Sequence, residues 1–130
     1  MRKRTRCQLV LSCLTLLVIL ARSESALAVE MFTPSFIADD GEMAVCSILN
    51  KGKKSITLNI QIRYNNGNVG QDSGQLEVLP HQVRLATMAG TNSSRVHCAF
   101  SGKFSPKNVR AAGEVEVGVN GQTKFVIPAQ

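Results

Sequence analysis

The chain has no tryptophan, one tyrosine and two histidines. Proteins that bind single-stranded nucleic acid stack bases on several aromatic faces along a basic groove, and that platform is missing. There is also no glycine-rich phosphate loop and no recognised nucleophile motif. Two histidines without paired cysteine spacing exclude the usual structural zinc frameworks. The core must be built mostly from aliphatic side chains.

The first 28 residues stand apart. Arg2, Lys3, Arg4 and Arg6 form a basic head, an apolar run extends from about Leu9 to Ala21, and Ala26-Leu27-Ala28 follows a polar stretch. This three-part plan predicts a secretory signal peptide over 1–28, cleaved after Ala28. The apolar run is too short for the ~20 residues of a spanning helix, so no transmembrane segment is expected after cleavage. Cys13 lies inside the run, which continues past it, and does not read as a lipid-attachment site.

Cleavage would leave 102 of the 130 residues, the size of one domain, 29–130. It would also remove five of the 15 Lys and Arg and one of the nine Asp and Glu. Ten basic and eight acidic residues then remain, a net charge of +2 in place of +6. The high charge belongs mostly to the export signal, so a nucleic-acid partner is not expected.

Alternation dominates the remainder. Ile56, Leu58, Ile60 and Ile62 fall on one face of a strand, against Thr57, Asn59, Gln61 and Arg63 on the other. Val109, Ala111, Gly113, Val115 and Val117 oppose Arg110, Ala112, Glu114 and Glu116 in the same way. Period two with β-branched residues predicts half-buried strands of antiparallel sheets. Turns are read at Asn50-Lys51-Gly52-Lys53, Asn65-Asn66-Gly67-Asn68, Leu79-Pro80-His81, Ala89-Gly90-Thr91-Asn92 and Asn120-Gly121. The expected strands are 31–37, 42–49, 55–64, 75–79, 82–88, 94–101, 108–118 and 123–127. Pro34 cannot donate to a ladder, so the first should be irregular or at an edge. The second, EMAVCSIL, is apolar on both faces and should be central or covered. The pattern predicts an all-β, antiparallel two-sheet sandwich of about seven to eight strands.

Cys46 and Cys98 are the cysteines left after cleavage. Exported chains meet an oxidising compartment, where such a pair usually joins. Ala44, Cys46 and Ile48 share one apolar face, and Val96, Cys98 and Phe100 another. An inter-sheet disulfide is expected. Free thiols would return Cys98 to the readings of a nucleophile or metal ligand. His97 is adjacent to Cys98, so on a strand the two point to opposite faces and cannot share one metal.

A cysteine on the second strand and one on the sixth resembles the immunoglobulin-like layout, where such a pair links strands B and F. The likeness is to the architecture. The third strand has no buried Trp, and Val96 stands where immunoglobulin domains have Tyr, two residues before the cysteine. The stretch CAF followed by NVRAA also resembles small exported bacterial immunoglobulin-like sandwich proteins of unassigned function. That resemblance implies no activity.

Catalytic and metal-binding readings find little support. His81 follows Pro80 in a turn with nothing local to orient it. Asp39-Asp40-Gly41-Glu42 lacks the spaced oxygens of a calcium loop. Glu114 and Glu116 read as a solvated outer face, and Asn92-Ser93-Ser94 as loop composition. No catalytic residue, metal or cofactor is assigned.

One grouping goes further. Strands alternate in direction, so the loops after the second, fourth and sixth strands gather at one end. They carry Lys51, Lys53, Lys54, His81, Lys103, Phe104 and Lys107, the aromatic having no evident core slot. This basic tip predicts an anionic partner: an envelope polysaccharide, lipid headgroups or an acidic protein. The expected function is a non-catalytic module, periplasmic or secreted, that acts by binding or assembly. A pilin- or chaperone-like subunit completed by strand exchange is the alternative, with its irregular first strand as the exchange site. A small hydrolase built on His81 is the third reading.

Overall fold

A computed structural model describes residues 28–118 and 121–130. The expected signal peptide lies outside the described residues except for Ala28, and the turn at Asn120-Gly121 lies partly outside them. Among the described residues no helix is long and apolar enough to cross a membrane.

Nine strands follow one another: β1 (Val29–Phe32), β2 (Phe36–Ala38), β3 (Glu42–Asn50), β4 (Ile56–Tyr64), β5 (Val69–Val78), β6 (Val83–Ala89), β7 (Ser94–Lys103), β8 (Val109–Val117) and β9 (Gln122–Pro128). One turn of 3-10 helix, Pro106–Asn108, precedes β8. One sheet has the order β1-β7-β4-β5, with β2 also on β7, and the other has the order β6-β3-β8-β9. All pairs are antiparallel.

The period-two pattern becomes the core directly. Leu58, Ile60 and Ile62 of β4, Ala44, Cys46 and Ile48 of β3, and Val96, Cys98 and Phe100 of β7 are all fully buried. Val115 is buried too, while Val117, at the end of β8, is exposed. Strand β3 is central, between β6 and β8, as its two apolar faces require. Cys46 and Cys98 form a disulfide with Cα atoms 5.7 Å apart, joining the two sheets. The pairs β3–β6 and β4–β7 match the inner pairs of the immunoglobulin layout. The flanking strands do not: the first lies beside β7 and β8 lies beside β3.

Two expected elements differ. The first strand is split at Thr33–Ser35, and its pairing with β7 slips by one residue between Phe32↔Ala99 and Phe36↔Val96. Pro34 has no N–H to give, and a bulge absorbs it. The buried Thr33 side chain fills the gap by accepting a hydrogen bond from the Cys98 N–H at 2.9 Å. The strand expected over 75–79 begins at Val69 instead. Its first half is exposed and carries two register shifts, so it has no apolar alternation to read. Ser73 Oγ accepts from the Ile60 N–H at 2.9 Å and repairs the ladder there.

Gly113 makes room for the disulfide. A Cβ there would sit 2.6 Å from a ring carbon of Phe36 and 3.0 Å from Cys98 Sγ. Gly113→Ala is therefore expected to overpack the core and remove about 1–3 kcal/mol of stability. Denaturant melts check this, and an unchanged midpoint would contradict it.

Candidate functional site

The site is built on the end of β3. Asn50 is its last residue and its side chain is fully buried. A buried amide must find partners for both its ends. Asn50 Nδ2 donates to the carbonyls of Lys54 and Val78, each at 2.9 Å, and Oδ1 accepts from the Gly52 N–H at 2.9 Å. The backbone continues the pattern: the His81 N–H donates to Asn50 O at 2.7 Å, and the Lys51 N–H to Asn108 O at 2.7 Å. One residue and its neighbour thus fasten the three loops 51–55, 79–82 and 104–108 to each other.

The loops expected at one end are therefore together. Lys51, Lys53, Lys54, His81 and Lys107 are exposed on them, and Lys103 is exposed at the end of β7, opposite Thr57. A shallow groove lies between Lys51, Lys53, Lys54, Ile56 and Asn108, with Asn50 at its base. The three loops contain no acidic residue. Among the described residues none of the five lysines is in an ion pair. His81 takes a left-handed backbone conformation, φ 61°, in its turn. Among the described residues no side chain hydrogen-bonds its imidazole, and no general-base geometry is built around it.

Phe104 corrects one expectation. It is not part of the tip surface but is buried in the main core, where it fills the end of the sandwich beneath the loops. It follows β7 directly, and the space between the two sheets at this end supplies the slot that the sequence does not reveal. Arg84 and Arg110, both exposed, are cations close to the tip that its loops do not contain. They stand opposite Ile48 and Leu49, one or two residues behind the tip. Counting residues past the loops into the strands that follow them would have found both.

The opposite end carries acid. Glu42 accepts from the Asp39 N–H at 3.0 Å and pairs with Lys124 at 2.8 Å. The Asp39 N–H first, and the Lys124 ammonium after it, hold this carboxyl below the usual range. Asp40 accepts from the Asn92 N–H at 2.7 Å. These carboxylates cap a turn. Among the described residues no three His, Cys, Asp or Glu side chains converge as a metal site would require. Unpaired basic charge among the described residues is thus concentrated at one end, while the acids of the other stand among Arg95 and Lys124.

His97 lies on the outer face of the five-stranded sheet, its ring 6.1 Å from that of Phe32, while Cys98 points inward. Burial, and secondarily the charge of Arg63, push its pKa below that of free histidine. The unfolded chain then binds the proton more readily, so stability falls as pH drops below about 6.5. We expect a lower thermal midpoint at pH 5.5 than at pH 7.5, with His97→Gln removing part of the difference. An identical pH dependence in that variant would contradict the assignment.

No family model and no curated protein matches this chain. Among solved structures, the crystal structure of Thermotoga maritima 1070 is similar, with a TM-score of 0.53 at 11% identity. The match covers 78% of this chain and 91% of that one. At that identity the likeness is one of fold.

Proposed function

We propose that the protein is an exported, non-catalytic binding module whose basic end engages an anionic component of the cell envelope. One observation carries this reading: three loops with four lysines and no acid, with Lys103 beside them at the end of β7, are fastened into one surface by Asn50 and Lys51. A rigid cluster of like charge raises the local potential and attracts anions. The fully buried disulfide supports export, since such bonds persist in oxidising compartments. Periplasmic or secreted placement accords with the signal-like first 28 residues.

Strand exchange finds less support. Phe32 and Gln130 exchange two backbone hydrogen bonds, 3.2 and 2.9 Å, between β1 and the end of the chain. Phe36 and Phe125 stack edge to face at 6.2 Å across the same side. These contacts close the core with strands of one chain.

Binding of the oxidised protein to vesicles with and without phosphatidylglycerol tests the reading. Each lysine near an anionic surface contributes roughly 1 kcal/mol. The triple change Lys53→Glu, Lys54→Glu and Lys103→Glu should therefore weaken binding by roughly 100-fold or more. Binding should also fall with salt. A sulfated polysaccharide in place of the vesicles separates a surface from a soluble polymer. Salt-insensitive binding that survives the triple change would sink the proposal.

A further inference from the structure

The two outer faces of the sandwich differ in kind. On the five-stranded sheet, β4 presents Thr57, Asn59, Gln61 and Arg63, and β7 presents Arg95, His97 and Ser101, alternating with the core positions. That is the wetted centre an antiparallel sheet is expected to have, with Phe32, Ile37 and Val69 exposed only on its flanking strands. The four-stranded sheet turns apolar side chains outward. Val83, Leu85 and Val126 are 53%, 56% and 57% exposed, and Met43 is 39% exposed. Exposed apolar side chains gathered on one sheet face mark a candidate interaction site.

Charge identifies the occupant. The outward row of β8 reads Arg110, Ala112, Glu114, Glu116. Among the described residues none of its three charges is in an ion pair, and Glu114 accepts only a hydroxyl hydrogen bond, from Ser47 at 3.0 Å. A row positive at one end and negative at the other is complementary to its own reverse.

We infer that this face pairs with the same face of a second copy, about a two-fold axis that lies between the sheets and perpendicular to the strands. The register sets its level. Leu85, Ser47, Ala112 and Pro128 stand in one line across the four strands. An axis over that line lays Arg110 on Glu114 of the second copy, and the reverse, giving two intermolecular ion pairs. It also lays Leu85 on its own counterpart, Leu49 over the already buried Val45, and Val83 over Thr87. Ser47 and Ala112 are small, so the sheets can approach to the ~10 Å of face-to-face packing. An axis parallel to the strands leaves residues at their own level, and Arg110 then faces no carboxylate. Isologous contacts of this kind close a dimer without further growth.

Four strands at ~4.8 Å and seven to nine residues at ~3.3 Å give a flat footprint of about 500 Å² per copy. That is the low end of specific interfaces, so a weak, concentration-dependent dimer is expected. The reversed strands would set the two lysine-bearing ends at opposite poles of the dimer. Their use as two anion-binding sites rests on the function proposed above; the self-association does not.

Sedimentation equilibrium of the oxidised protein from about 1 to 500 µM tests the inference. Arg110→Glu and Glu114→Lys should each weaken the dimer about tenfold or more, and the double swap should restore it. Leu85→Lys, at an exposed position that leaves folding intact, should abolish it, with circular dichroism confirming the fold of every variant. A monomer throughout that range overturns the inference. So does a dimer that the charge swap fails to restore, or a monomer whose Leu85 face binds neutral lipid vesicles, which would assign the face to a membrane.

Discussion

Replacing Cys46 and Cys98 together by alanine should lower the thermal midpoint by roughly 15–30 °C. The bridge spans a sequence separation of 52 residues. Closing a loop of that length restricts the unfolded chain by about 4 kcal/mol. For a domain near 100 residues each kcal/mol moves the midpoint by about 4–8 °C. Alanine is the proper replacement because both positions are fully buried, and serine would add two hydroxyls without partners. The same burial protects the bond. A reductant reaches it only when the sandwich opens, so thiol release under native conditions should be slow and should scale with the population of the opened state. Differential scanning calorimetry and timed alkylation read both quantities. A shift under about 5 °C would mean that the reduced chain keeps most of its constraint.

Asn50 should give the second large effect, with an order that tests its role. Asn50→Ala removes two donors and one acceptor from a buried site and leaves the Val78 carbonyl without its side-chain partner. Unmade bonds of this kind cost about 1–3 kcal/mol each, so a loss near 3 kcal/mol is expected. Asn50→Asp is nearly isosteric and should be worse. It turns a carboxylate oxygen toward two carbonyls and buries an unpaired charge. Part of its loss should return at acid pH, where the protonated carboxyl can donate once. Urea melts at pH 7 and pH 4.5, each against the native protein, report the order and the recovery. Hydrogen exchange at Lys51 and His81, whose N–H groups bond across segments, and at Gly52, whose N–H donates to Asn50 Oδ1, should quicken in both variants. If Asp is milder than Ala at pH 7, the side chain is not the clamp described.

The residues differ in how much of this they declare in advance. Leu58, Ile60 and Ile62 announce a half-buried strand, because alternation is a local property and the sheet simply accepts it. The two cysteines follow from the same periodicity, since each sits on the apolar face of its own strand. The gathering of three loops at one end follows from the alternation of strand direction alone. Asn50 shows where that ends. It reads as an ordinary turn residue, and its partners at Lys54 and Val78 come from 4 and 28 positions away. Strand β5 is another case, for its exposed first half is held by the ladder of β4 and by Ser73 and not by any pattern of its own.

By itself, then, the sequence determined the class of fold, the inward faces, the cysteine partners and which loops carry the lysines. Each of these is set by period two and by strand order, which are properties of short stretches. Tertiary structure decided what depends on distant segments meeting. Phe104 left the surface because the end of the sandwich had space for a ring. Asn50 became the clamp because three loops close over it. Arg110 and Glu114 became a row across an apolar face because β6, β3 and β9 lined up their outward residues beside β8. Burial and register are joint properties of several strands, and no one strand encodes them.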